Sequence, residues 1–155
     1  MRCSVNRSHR YGYWLVVLQF SLLFGLILMT SPLKAIASGN LGTLIPMAIS
    51  VIVALAALQA NQFGNFNIHP SPKQNGRLIV DGIYQYIRHP MYTAVMLFGL
   101  ACILASPSLE SVLMLFALCL VLVRKARLEE ILLKQKYPFY SEYLSKTPGF
   151  VPWIY

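Results

Sequence analysis

The chain has 155 residues, of which 57% are hydrophobic and only 12% charged. A soluble domain is nearer one quarter charged, so the composition excludes an ordinary soluble globule and points to an integral membrane protein of one domain. The formal net charge of +8 does not indicate a nucleic-acid partner, because the cations gather in clusters beside apolar runs, as at a membrane interface.

Four apolar runs follow one another: Tyr13 to Thr30, Leu41 to Leu58, Met91 to Ala105 and Leu109 to Val123. The first two suffice as helices to cross ~30 Å of hydrocarbon, which takes ~20 residues; the last two need their flanks. "AIAS" (Ala35 to Ser38) after the first run also resembles a secretory cleavage site. The run is longer than a usual signal core, so it is expected to remain as a span.

Between the second and third runs, Ala60 to His89 is a polar connection broken by Pro70 and Pro72. A loop of about thirty residues in a compact domain is commonly functional. Phe63, Phe66, Ile68, Leu78, Ile79 and Val80 argue that it packs on something. "ASPSLES" (Ala105 to Ser111) reads as a tight turn, with Ser106 as N-cap and Pro107 opening the fourth helix. The third and fourth runs therefore form a helical hairpin. From Pro107 no Gly or Pro intervenes before Pro138, so the fourth helix continues past the membrane as a rod of ~45 Å at 1.5 Å per residue.

With both termini cytoplasmic and four crossings, twelve of the thirteen Lys and Arg residues lie inside and only Lys34 outside. That is a strong positive-inside signal. Cys3, Cys102 and Cys119 form no framework, and His9, His69 and His89 are too scattered for a metal site, so no metal is expected.

The fold class expected is therefore all-α, an integral membrane bundle of about four transmembrane helices in one domain over 1–155. Residues 1–60 hold two spans, and 61–155 hold the loop, the hairpin and a C-terminal tail. The hairpin brings Arg88, His89 and Tyr92 to the same cytoplasmic mouth as Glu129 and Glu130. Each feature also has a bland reading: Arg88 as a positive flank, Tyr84, Tyr86 and Tyr92 as an interfacial belt, and Glu130 with Lys134 as an exposed i,i+4 pair.

"GRLIVDGIYQYIRHPMYTAV" (Gly76 to Val95) resembles the signature of the isoprenylcysteine carboxyl methyltransferase family, in which R-H-P-x-Y precedes a membrane helix. The family's hairpin, E-E pair and tail have counterparts in Glu129-Glu130, in Tyr140 with Tyr143, and in "TPGFVPWIY". The resemblance covers residues 66–155. It implies a membrane methyltransferase that moves a methyl group from S-adenosyl-L-methionine to a hydrophobic or lipid-like acceptor, through its carboxylate, thiol or amine. The cofactor is then expected in a pocket closed by the last two helices, the loop and the tail. The resemblance implies Gly76, Arg77, Leu78, Ile79, Tyr84, His89, Pro90, Met91, Tyr92 and Glu129 as its lining, with His69 more distant. Arg88, His89 and Glu129 are the expected catalytic group. Relatives set an arginine against the substrate four residues before the cofactor glutamate, where this chain has Lys125. Of the two acids, Glu129 is expected to face the pocket and Glu130 to turn outward toward Lys134. The expected partners are the lipid bilayer and a hydrophobic or lipidated acceptor. An NADPH-dependent membrane sterol-type reductase, whose R-H-P-x-Y region is similar, is the second reading, and a small non-enzymatic membrane scaffold the third.

Overall fold

A computed structural model describes residues 2–37, 39–65 and 77–151, and these contain helices and no strand. Helix α1 (Arg2–Thr30) continues the first apolar run back through the basic N-terminus. Thr30 donates its hydroxyl to Leu26 O, and Ser31 turns the chain with a φ of 45°. A short helix α2 (Pro32–Ala37) follows, begun by a proline that has no intrahelical bond to lose there. Gly39, at φ 69°, and Asn40 then start α3 (Leu41–Asn65), where the Asn40 side chain accepts from Gly42 N.

Helix α3 overruns the expected loop start at Ala60, because "QANQF" carries no breaker before Gly64. Part of that loop, 66–76, lies outside the described residues, His69 and Gly76 with it. The chain resumes without helix at 77 and forms a 3-10 turn, Gly82–Gln85. The turn packs on α3: Gly82 has a φ of +60°, and a β-carbon there would lie 3.2 Å from Ala60 Cβ. Only glycine meets both demands comfortably.

Helix α4 (Pro90–Ala105) begins at its proline, and α5 (Leu109–Lys136) is a single rod of ~42 Å. The turn between them differs from expectation. Ser108, not Ser106, caps α5, because Ser108 and Ser111 form a reciprocal capping box, while Ser106 ends α4. A short helix α6 (Tyr140–Lys146) lies in the tail.

Helix α4 contacts α3, α1 and α5, and α1 packs along α5. Leu26, Cys102, Leu118 and Leu122 form the buried core of the α1–α4–α5 contact. Glycines set the approach: a β-carbon on Gly99 would come within 2.5 Å of Leu115 Cδ1, and one on Gly25 within 3.0 Å of Met114 Sδ. On the other side of α4, Ser50 donates to Ala94 O at 2.8 Å. Helices α1 and α3 are long and apolar enough to cross a membrane, and α4 is a shorter apolar helix. Their large exposed side chains, Trp14, Phe24, Ile45 and Ile52 among them, give the bundle an apolar outer surface.

Candidate functional site

Residues just before a helix have backbone donors with no helical partner. Here the tail supplies those partners. Arg88 N donates to Pro148 O at 2.9 Å and His89 N to Gly149 O at 3.0 Å, while Thr93 Oγ1 donates to Phe150 O at 2.7 Å. The Arg88 side chain strengthens the seam, donating through Nη1 to Leu144 O at 3.1 Å and to Thr147 O. Tyr143 Oη donates to Tyr84 O at 2.5 Å, which ties α6 to the 3-10 turn. The tail is thereby fastened across the entry of α4.

The two glutamates divide the mouth between them. Glu129 Oε2 accepts from Tyr92 Oη at 2.8 Å and stands 3.8 Å from His89 Nδ1. Glu130 Oε1 accepts from Arg88 Nε at 3.0 Å and meets His89 Nε2 at 2.9 Å. His89 is buried, stacked on Tyr92 at 5.4 Å between centroids and tilted against Phe150 at 5.5 Å. The expectation that Glu130 turns outward to Lys134 is therefore corrected. The α4 entry presents Arg88 and His89 to the Glu130 side of α5, and two charge-assisted partners outweigh one exposed pair. Burial pushes the Glu130 carboxyl up, but His89 and Arg88 outweigh it and hold the group below its ordinary value. Burial, with the Glu129 charge adding to it, pushes the Tyr84 hydroxyl up to about 12. Burial and nearby carboxylates likewise raise Tyr140, and burial raises Tyr143.

Beside this cluster lies a cavity of about 270 Å³. Of the residues singled out from sequence, Tyr84, Arg88, His89, Pro90, Met91, Tyr92, Lys125 and Glu129 line it together. Arg77, Leu78 and Ile79 are not among its described lining residues: Ile79 is buried and Arg77 exposed on the non-helical stretch before the 3-10 turn. Gly76 falls outside the described residues. Phe20, Leu23 and Val95 contribute apolar lining to the cavity, and Glu129, Tyr84 and Asn61 polar lining.

Three members escaped sequence reasoning. Glu130 was set outward by its spacing to Lys134. Asn61 sits on the turn of α3 that had been taken for loop. Gln19 is the one amide in the apolar stretch "WLVVLQFSLLFG", where Ser21 is the other small polar residue, and that is its signal. It is 5% exposed and accepts from Lys125 Nζ at 2.7 Å, and the same ammonium lies 5.1 Å from the centre of the Tyr92 ring. A carboxylate, aromatic faces and an apolar wall around one cavity suit a ligand that carries both a cation and an adenine-like ring. Among the described residues no group of three or more His, Cys, Asp or Glu is arranged to hold a metal ion.

Comparison with known proteins adds two likenesses. The family described as phospholipid methyltransferase matches residues 37–139. The chain is also similar to the nickel-cobalt-cadmium resistance protein NccN of Alcaligenes xylosoxydans xylosoxydans, at 28% identity over 156 residues, 96% of this chain and 67% of the relative. No solved structure matches.

Proposed function

The chain belongs to the phospholipid methyltransferase family, within the isoprenylcysteine carboxyl methyltransferase-like group of membrane methyltransferases, and from that premise we propose that it transfers a methyl group from S-adenosylmethionine to a hydrophobic or lipid-like acceptor. The observation that supports this most is the meeting of Glu129, Tyr92, His89 and Tyr84 in one cavity with an apolar wall.

When bound, S-adenosylmethionine supplies a methyl group activated by its sulfonium. Glu129, fixed by the Tyr92 hydroxyl, retains acceptor capacity for the cofactor's amino group or ribose hydroxyls. Tyr84 would offer a ring face to the adenine, while Tyr92, whose ring already meets His89 and Lys125, would orient Glu129 through its hydroxyl. Arg88 and His89 hold Glu130 and the tail, so the mouth keeps its shape, and the His89 ring also borders the cavity. Lys125 stands on the acceptor side, with Phe20, Leu23 and Val95 receiving the acceptor's apolar part. The bound group would offer its methyl carbon for displacement by the acceptor's oxygen, sulfur or nitrogen lone pair, with the cofactor's thioether as the leaving group. That displacement needs no covalent enzyme intermediate, and positioning accounts for most of the acceleration. The bias of cations toward one side supports a cytoplasmic mouth and cytoplasmic termini.

The test is a methyl-transfer assay with methyl-labelled cofactor on membranes from cells making the protein or its Glu129→Gln variant. Label should enter a lipid-extractable product only with the unaltered chain. Equal labelling by both would remove Glu129 from the reaction.

A further inference from the structure

The contact between Gln19 and Lys125 joins α1 to the helix that carries the glutamates. Lys125 is 2% exposed, and Gln19 Oε1 accepts from its ammonium at 2.7 Å. A buried ammonium is costly to leave unpaired, and a carboxylate is its usual partner. Glu129 lies one helical turn further along α5, yet the two form no direct ion pair among the described residues.

The reason is directional. Side chains on an α-helix lean toward its N-terminus, so Lys125 leans away from Glu129, and lysine preceding glutamate at i,i+4 is the weaker order. Tyr92 stands between them, with its ring face toward the ammonium at 5.1 Å and its hydroxyl on Glu129 at 2.8 Å. Among the described residues, the ammonium's hydrogen-bond partner is an amide and the ring beside it a tyrosine, both neutral. With Gln19 removed, the ammonium loses its hydrogen bond, and Glu129 is the carboxylate on its own helix within reach.

We infer that Gln19 is a positioning residue. It draws Lys125 away from Glu129 and so leaves the Glu129 carboxylate available to the cofactor. A chain whose α1 lacked the amide would pair Lys125 with Glu129, and the site would neutralise its own cofactor-binding charge. The inference rests on the reading that Glu129 binds the cofactor. It adds that a residue of the first apolar run, with no contact to Glu129 of its own, governs that binding.

Titration calorimetry of the full chain in detergent with S-adenosylhomocysteine reads the cofactor half of the site alone. Gln19→Leu should weaken binding at least about tenfold, and Gln19→Asn, one methylene shorter, about threefold. Adding Lys125→Met to Gln19→Leu should return affinity to within about threefold of the unaltered chain, since no ammonium is left to occupy Glu129. A merely structural role predicts the reverse, because the double variant removes two buried polar groups instead of one. Unchanged affinity in both single variants, or no recovery on adding Lys125→Met, overturns the inference while the methyltransferase reading stands. An unaltered chain that fails to bind S-adenosylhomocysteine overturns both.

Discussion

Replacing Glu130 by glutamine tests the part of the site that spacing alone misassigned. Its Oε1 takes Arg88 Nε at 3.0 Å and His89 Nε2 at 2.9 Å. The side chains are 19% exposed for Glu130 and 12% for Arg88, so solvent screens the pair only in part. Hydrogen bonds to charged groups contribute roughly 1.5–3 kcal/mol each. Glutamine keeps an oxygen for one donor but loses the charge, and Arg88 loses its counterion while still holding the tail carbonyls. The net cost works out at about 2 kcal/mol, of which Arg88 and Glu130 share a coupling of about 1–2 kcal/mol. The assay is unfolding of the detergent-solubilised protein, comparing Glu130→Gln, Arg88→Met and the double variant in a thermodynamic cycle. A loss of only a few tenths of a kcal/mol, as an exposed i,i+4 pair would give, would refute the clamp.

Tyr92→Phe keeps the ring beneath Lys125 and removes the hydroxyl that donates to Glu129, so thermal unfolding should report a loss of about 1–2 kcal/mol, with Tyr92→Leu losing more. The Glu130 carboxyl is held below its ordinary 4.5, so the unfolded chain takes up this proton first as pH falls. Its contribution should be complete above about pH 4.5 and disappear as the pH drops through the lower folded value; a denaturation series against pH should show that slope in the unaltered chain and lose it in Glu130→Gln. Gly99→Ala should overpack the α4–α5 contact at Leu115 and cost about 1–3 kcal/mol in the same unfolding assay, whereas unchanged stability would mean that the Leu115 side chain swings clear.

How much of this was legible in the chain depends on the range of the interactions. Helices α1 and α5 follow from apolar or breaker-free runs, α3 from an apolar run that tolerates Pro46 in its second turn, and α4 from Pro90, because these are local properties of the sequence. The α5 cap was placed two residues early, because Ser106-Pro107 and Ser108 both carry capping chemistry. Only the Ser111 hydroxyl, which answers Ser108, decides between them. The meeting of Arg88 and His89 with the acids of α5 was readable once the hairpin was recognised. Which acid meets which base was not, since that depends on the rotation of α5 against the α4 entry. Gln19 was visible as a polar residue in an apolar run, but its partner lies 106 positions away. No periodicity links residues that far apart. The tail's half of the seam between 147–150 and the start of α4 is likewise made of backbone carbonyls, which carry no sequence signal.

The most direct measurement is calorimetric titration of the purified chain with S-adenosylhomocysteine and, separately, with NADPH, each repeated on Glu129→Gln. The account predicts saturable binding of S-adenosylhomocysteine that weakens by about tenfold or more in the variant, the scale of one charge-assisted hydrogen bond, and no binding of NADPH. Binding of NADPH instead, or S-adenosylhomocysteine affinity indifferent to Glu129, would contradict it.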